Sequence, residues 1–141
     1  MVKKTTTAAG GVPPEDPKKP KKPLLGIDDV VSTIAALGVP GLVLLIVMSV
    51  MGFAGAAAIT AALAALGGPL GMLGGIGVLG VLVVMSKGLA QFGFAEIYRR
   101  VVMRFYEQGM TKEDILRKID TYPISRALKR KLKEIIEEQP G

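Results

Sequence analysis

From Val30 to Ser86 the sequence contains no Asp, Glu, Lys, Arg or His. A chain of 141 residues has little interior in which to hide so long an uncharged run, whereas a bilayer core needs only about 20 apolar residues per helical span. The stretch is therefore read as embedded in a membrane. It is too long for one span, and Gly67-Gly68-Pro69 interrupts it with a helix stop followed by a helix-start proline. The expected unit is a two-span helical hairpin over residues 40–86.

Pro40 suits a first helical turn, so the first span starts near Pro40 or Gly41 and runs to about Leu66. The second follows Pro69, reaches about Met85 and continues as helix through Gly88. In hydrocarbon the backbone must bond internally, which suits a helical pair and not two strands with open edges. Basic residues flank the run on both sides, at Lys18, Lys19, Lys21 and Lys22 before it and Lys87, Arg99, Arg100 and Arg104 after it. The turn has none. The positive-inside rule then places both termini in the cytoplasm, with the hairpin in the inner (plasma) membrane. A three-pass arrangement, with one span inside residues 27–51, is the alternative.

Residues 1–26 are rich in Pro, Lys and Thr and carry few large hydrophobes. This composition predicts a disordered tail, either basic enough to lie on anionic lipid or merely solubilising. In residues 27–38, Ile27, Val30, Val31, Ile34 and Leu37 recur at helical spacing, with Asp28 and Asp29 in the first turn. That pattern is an amphipathic helix which lies on the membrane, folds back over the hairpin, or simply extends the first span.

Within the hairpin, the bulky half GLVLLIVMSVM has lipid-facing character, and the remainder is small. Gly52, Ala56, Thr60, Ala64 and Gly68 fall every four residues. Gly67, Gly71 and Gly75 repeat that interval, and Gly71, Gly74, Gly77 and Gly80 repeat at three. Lipid tails offer no hydrophobic drive for helix association, so stripes of small residues act as packing surfaces or pore walls. Two such faces exceed what one hairpin needs, which predicts a homo-oligomer in the lipid bilayer; a single tight hairpin is the alternative.

Residues 87–108 predict an interfacial helix, with Ile97, Val101 and Phe105 on one row, Phe94, Tyr98, Val102 and Tyr106 on another, and Arg99, Arg100 and Arg104 between them. Residues 110–141 predict a small basic helical module. Thr111 and Asp114 form a capping-box pattern, and Tyr122-Pro123 ends that helix. Ser125 caps a last helix with Leu128, Leu132, Ile135 and Ile136 on one stripe. Arg126, Lys129, Arg130, Lys131 and Lys133 crowd its first half, against the helix dipole. These residues, with Arg99, Arg100 and Arg104, are the candidates for contact with an anionic ligand, lipid headgroups, nucleic acid or a protein partner; the plainer alternative is a solvated charged face. A module this small is expected to dock on another subunit or on the interfacial helix.

The sequence has no His or Cys, no G-x-S-x-G and no phosphate-binding G-x-x-x-x-G-K-[ST]. Its carboxylates are scattered, and several have simpler duties at helix starts. No enzyme, metal or cofactor is expected. The segment joining AAAITAALAALGGPLGMLGGIGVLGVL to KEDILRKIDTYPISRALKRKLKEII resembles small bacterial membrane proteins built from an Ala/Gly-rich hairpin and a basic helical tail. In general character it is similar to pore-forming toxins and to transmembrane effectors of antiphage defence. That resemblance implies permeabilisation of the inner membrane and carries over no site residues. The expected fold is an all-α membrane protein. Its expected function is an oligomeric ion-conducting or pore-forming effector gated through the cytoplasmic tails, and the alternative is a non-conducting anchor or adaptor that presents the basic module.

Overall fold

The computed structural model describes residues 26–64 and 69–139, with backbone alone at 69–76 and 78. The architecture is all-α: the described residues form α1 (Ile27–Ala36), α2 (Val39–Ala64), α3 (Pro69–Phe92), α4 (Phe94–Glu107), α5 (Lys112–Asp120) and α6 (Arg126–Glu138), with no strand among them. The expected disordered tail, apart from Gly26, and the turn at Gly67-Gly68 lie outside the described residues.

α1 opens with Asp28 and Asp29 in its first turn, and the Asp29 carboxylate accepts a bond from the Gly26 N–H at 3.2 Å. It ends at Gly38, whose φ of 74° is costly for any residue with a Cβ. Pro40 then sits in the first turn of α2, where its missing N–H breaks no helical bond. α1 is thus a separate helix rather than an extension of α2. Its Val30, Val31 and Ile34 are buried, and it packs on α2, α3 and α4.

Every other helix packs against α2. An all-apolar helix is stable only where no face meets water, whether inside a protein or in lipid. The first half of α2 meets that condition inside the chain: Leu42, Val43, Leu44, Leu45, Ile46 and Val47 are each at most 1% exposed. This corrects the expectation that GLVLLIVMSVM faces lipid over residues 41–48; Ser49, Val50 and Met51 at its end are exposed. The reason lies in the surrounding helices, each of which carries one apolar stripe that needs an apolar partner. α4 buries Ile97, Tyr98, Val101, Val102 and Phe105; α5 buries Ile115 and Ile119; α6 buries Leu132 and Ile136. At about 1.5–3 kcal/mol for each large aliphatic side chain taken out of water, this sheath is worth on the order of 10 kcal/mol at α2 alone.

The expected interfacial helix over 87–108 is divided. α3 runs on to Phe92, Gly93 takes a φ of 86°, and the chain turns so that Leu79–Phe92 and Phe94–Glu107 stand at 118°. That turn lays the apolar face of α4 on the chain's own core instead of a headgroup layer. α3 approaches closely at Gly88, where a Cβ would stand 2.7 Å from Val30 Cγ1 and 3.3 Å from Ile97 Cδ1. α5 and α6 form as the caps direct. Asp114 N–H donates to Thr111 Oγ1 at 3.1 Å and Thr111 N–H to Asp114 Oδ2 at 3.0 Å, while Leu128 N–H donates to Ser125 Oγ at 3.2 Å. The pair packs on α2, within its own chain.

Candidate functional site

The sheath ends where α2 breaks. Gly52 has φ 84° and ψ −173°, a conformation essentially reserved for glycine. Around it three large apolar side chains come to the surface: Val50 at 54%, Met51 at 58% and Phe53 at 41% exposure. Beyond this point the second half of α2 continues, and among the described residues α3 is the helix that packs most extensively on α2.

The small-residue stripe of α2 faces inward. Ala56 and Thr60 are buried, with Ile59 and Leu63 beside them. The Thr60 hydroxyl donates to the Ala56 carbonyl at 2.9 Å, so the one polar side chain of this stripe is satisfied within its own helix. Gly52 and Ala64 are half-buried. Of the glycines in the second arm, Gly67 lies outside the described residues, and Gly71 and Gly74 are within α3. Gly77 is half-buried, and Gly80 is exposed, with no neighbour within 4 Å of an added Cβ.

Sequence reasoning missed the outward face of the same helix. Ala54, Ala57, Ala58 and Ala61 are exposed, and with Leu79 at 51% and Val83 at 42% exposure on α3 they give the hairpin an uncharged outer surface. The outward face is mostly alanine, while the inward one mixes Ala56 and Thr60 with the larger Ile59 and Leu63; both carry small residues at four-residue intervals, and periodicity alone does not say which one turns inward.

The cations divide into two groups. On α4, Glu96 collects Arg99 at 2.8 Å and Arg100 at 2.6 Å, and Arg104 donates to Ser32 Oγ of α1 at 3.0 Å. The bond from Arg100 does most to hold the Glu96 carboxyl below its usual range. On α6, Lys129 Nζ donates to the Asp120 carbonyl at 2.8 Å and Lys133 pairs with the Asp120 carboxylate, fastening α6 to the end of α5. Among the described residues, Lys131 forms one ion pair, to Glu134 at 3.6 Å. Arg126 and Arg130 are exposed and form no ion pair with the described residues. The eight candidate cations are therefore not one patch, and at least five of them tie helices of the sheath together or brace a single helix.

Between α2 and α6 an apolar cleft of about 210 Å³ opens, with Ile46, Val47 and Leu132 among its lining. Among the described residues no three His, Cys, Asp or Glu side chains gather where they could hold a metal ion. Burial raises the hydroxyl pKa of Tyr122, to about 12, and raises that of Tyr98 as well, so neither is disposed to give up its proton. Comparison with protein-family models, curated proteins and solved structures gives no match.

Proposed function

We propose that this chain is a membrane-inserting protein whose hairpin associates with other copies in the bilayer to form an ion-conducting or pore-forming assembly, an effector of the inner membrane with both termini cytoplasmic. One observation carries the reading: past the break at Gly52 the second half of α2 has no charged residue and leaves an alanine face, Ala54, Ala57, Ala58 and Ala61, exposed. The inward stripe serves the partner arm, and the outward alanine face is left for lipid or for a neighbouring copy.

Helix length sets how the insertion proceeds. α2 is long and apolar enough to cross a membrane, yet half of its most apolar window is buried in the chain. The part past the break, residues 52–64, is about 20 Å long at 1.5 Å per residue, against a hydrocarbon core of about 30 Å. The whole of α2, 26 residues, is about 39 Å long. In the sheathed form the hairpin therefore enters one leaflet, and a two-span topology requires α2 to leave its sheath. Lipid makes that release cheap, because hydrocarbon surrounds Leu42 or Ile46 as well as the sheath does. Two states follow, a sheathed one with a half-inserted hairpin and a released one with crossing helices, and the basic C-terminal helices that grip α2 form the gate.

Expression in a bacterial cell should collapse the membrane potential, and Ala58→Leu or Gly77→Leu should prevent that at unchanged protein level. A normal potential with abundant protein in the membrane fraction would refute conduction. It would favour a second reading supported by the shortness of that part: a half-inserted anchor that holds α5 and α6 at the membrane surface.

A further inference from the structure

The cleft between α2 and α6 is an apolar cavity at the boundary between sheath and hairpin. Its deeper lining, Ile46, Val47 and Leu132, is at most 1% exposed, and Val50 and Met51 continue the apolar surface outward past the end of the sheath. Its volume is about 210 Å³, and it opens to the surface. Lys131 also lines the cleft with its side chain exposed, and among the described residues its one ion pair is the loose contact to Glu134 at 3.6 Å.

We infer that the cleft takes one acyl chain of an anionic phospholipid, drawn from the leaflet into which the hairpin dips. This inference rests on the membrane-inserting reading and adds to it the ligand of the gate. The chain methylenes lie against Val47 and Leu128, and the phosphate meets the Lys131 ammonium. Two features favour that occupant over an apolar side chain of a second copy. The cleft combines an apolar interior with a cation, which matches an amphiphile with a negative head, and its exposed end at Val50 and Met51 adjoins the hairpin, where lipid is. An acyl chain there occupies the surface by which α6 holds α2, so the lipid that receives the hairpin also loosens the sheath.

The protein contains no Trp, so an introduced indole reports on its own surroundings. Ala127→Trp places one on the cleft wall, Arg130→Trp one on another face of α6, and Ala61→Trp one on the hairpin. Each full-length variant is mixed with phosphatidylcholine–phosphatidylglycerol vesicles in which either lipid carries brominated acyl chains. The inference expects the indole of the Ala127→Trp variant to be quenched about fivefold more by brominated phosphatidylglycerol than by brominated phosphatidylcholine, the ratio that one lysine–anion contact at a membrane surface supplies. Lys131→Glu should erase that ratio, and the Arg130→Trp variant should show none. Quenching at position 61 without selective quenching at 127 overturns the acyl site and leaves the membrane reading intact. Vesicle-bound protein unquenched at position 61 overturns both. Quenching at 127 by dissolved brominated fatty acid, but not by the phosphatidylglycerol vesicles, overturns the bilayer as the source.

Discussion

Two glycines of α3 show how much a single Cβ decides. At Gly88 an added methyl would press on the buried Val30 and Ile97 side chains, so Gly88→Ala forces α1 or α4 outward and should cost about 1–3 kcal/mol in chemical denaturation. Gly80 has open space around it, so Gly80→Ala should raise stability by up to about 1 kcal/mol through helix propensity. If the same substitution weakens vesicle permeabilisation, the open space in the single chain is where a neighbouring copy sits. The caps act at the same scale. Thr111→Ala removes a bonded N-cap and should cost about 1 kcal/mol by the same measurement. The Thr111 backbone N–H does most to hold the Asp114 carboxyl below its usual range, with help from the Thr111 hydroxyl and Arg117. A lowered folded-state pKa means that Asp114 stabilises the fold above the ordinary value of 3.8 and that this contribution disappears as pH falls below it. Asp114→Asn should flatten that acid limb. Tyr122 has the opposite sign: its hydroxyl is raised from 10.0 to about 12, so its contribution is complete below pH 10 and is lost as pH climbs from there towards 12.

At the scale of the element, the break in α2 is the feature with most consequence. Nothing lies within 4 Å of a Cβ at Gly52, so Gly52→Ala meets no obstacle except the backbone conformation, which costs of order 1–3 kcal/mol for a residue with a side chain. A crossing α2 has no use for that conformation, since a straight helix of the same residues satisfies every backbone group in lipid. The substitution should therefore lower stability in water and raise the fraction of protein resisting carbonate extraction from vesicles. Loss of stability with no gain in insertion would mean that the break is not what separates the two states. Neither this break nor the one at Gly93 was legible in the sequence, because a lone glycine inside an apolar run is equally at home in a continuous membrane helix. The punctuation carried by residues with one clear duty was legible: Pro40 at the start of α2, Thr111 with Asp114, Tyr122-Pro123 with Ser125. Periodicity also identified the apolar faces of α1, α4 and α6. It could not say what those faces touch, and a helix that is apolar all round, as the first half of α2 is, satisfies a protein core and a bilayer equally.

For the whole molecule, the same aliphatic surface is held in place by water and freed by lipid. In water, exposing residues 42–47 costs on the order of 10 kcal/mol, so the sheath stays closed. In hydrocarbon that term vanishes, and what remains is polar: Arg104 to Ser32 at 3.0 Å, Arg100 to Asp28 at 3.9 Å, and the fastening of α6 to Asp120. The α1–α4 bonds are surface contacts worth at most about 1 kcal/mol each, and less at high salt. Opening at the membrane should therefore depend on these contacts far more than opening in water does. Arg104→Ala and Asp120→Asn should leave the denaturation midpoint in buffer nearly unchanged and should increase dye release from phosphatidylglycerol-containing vesicles, most clearly at low protein concentration, where release from the sheath limits assembly. If both variants instead unfold in buffer and release no additional dye, the polar contacts are part of the core fold and the gate lies elsewhere. If dye release is unchanged in either variant while Ala58→Leu abolishes it, then association between hairpins, and not release of α2, is the step that limits permeabilisation.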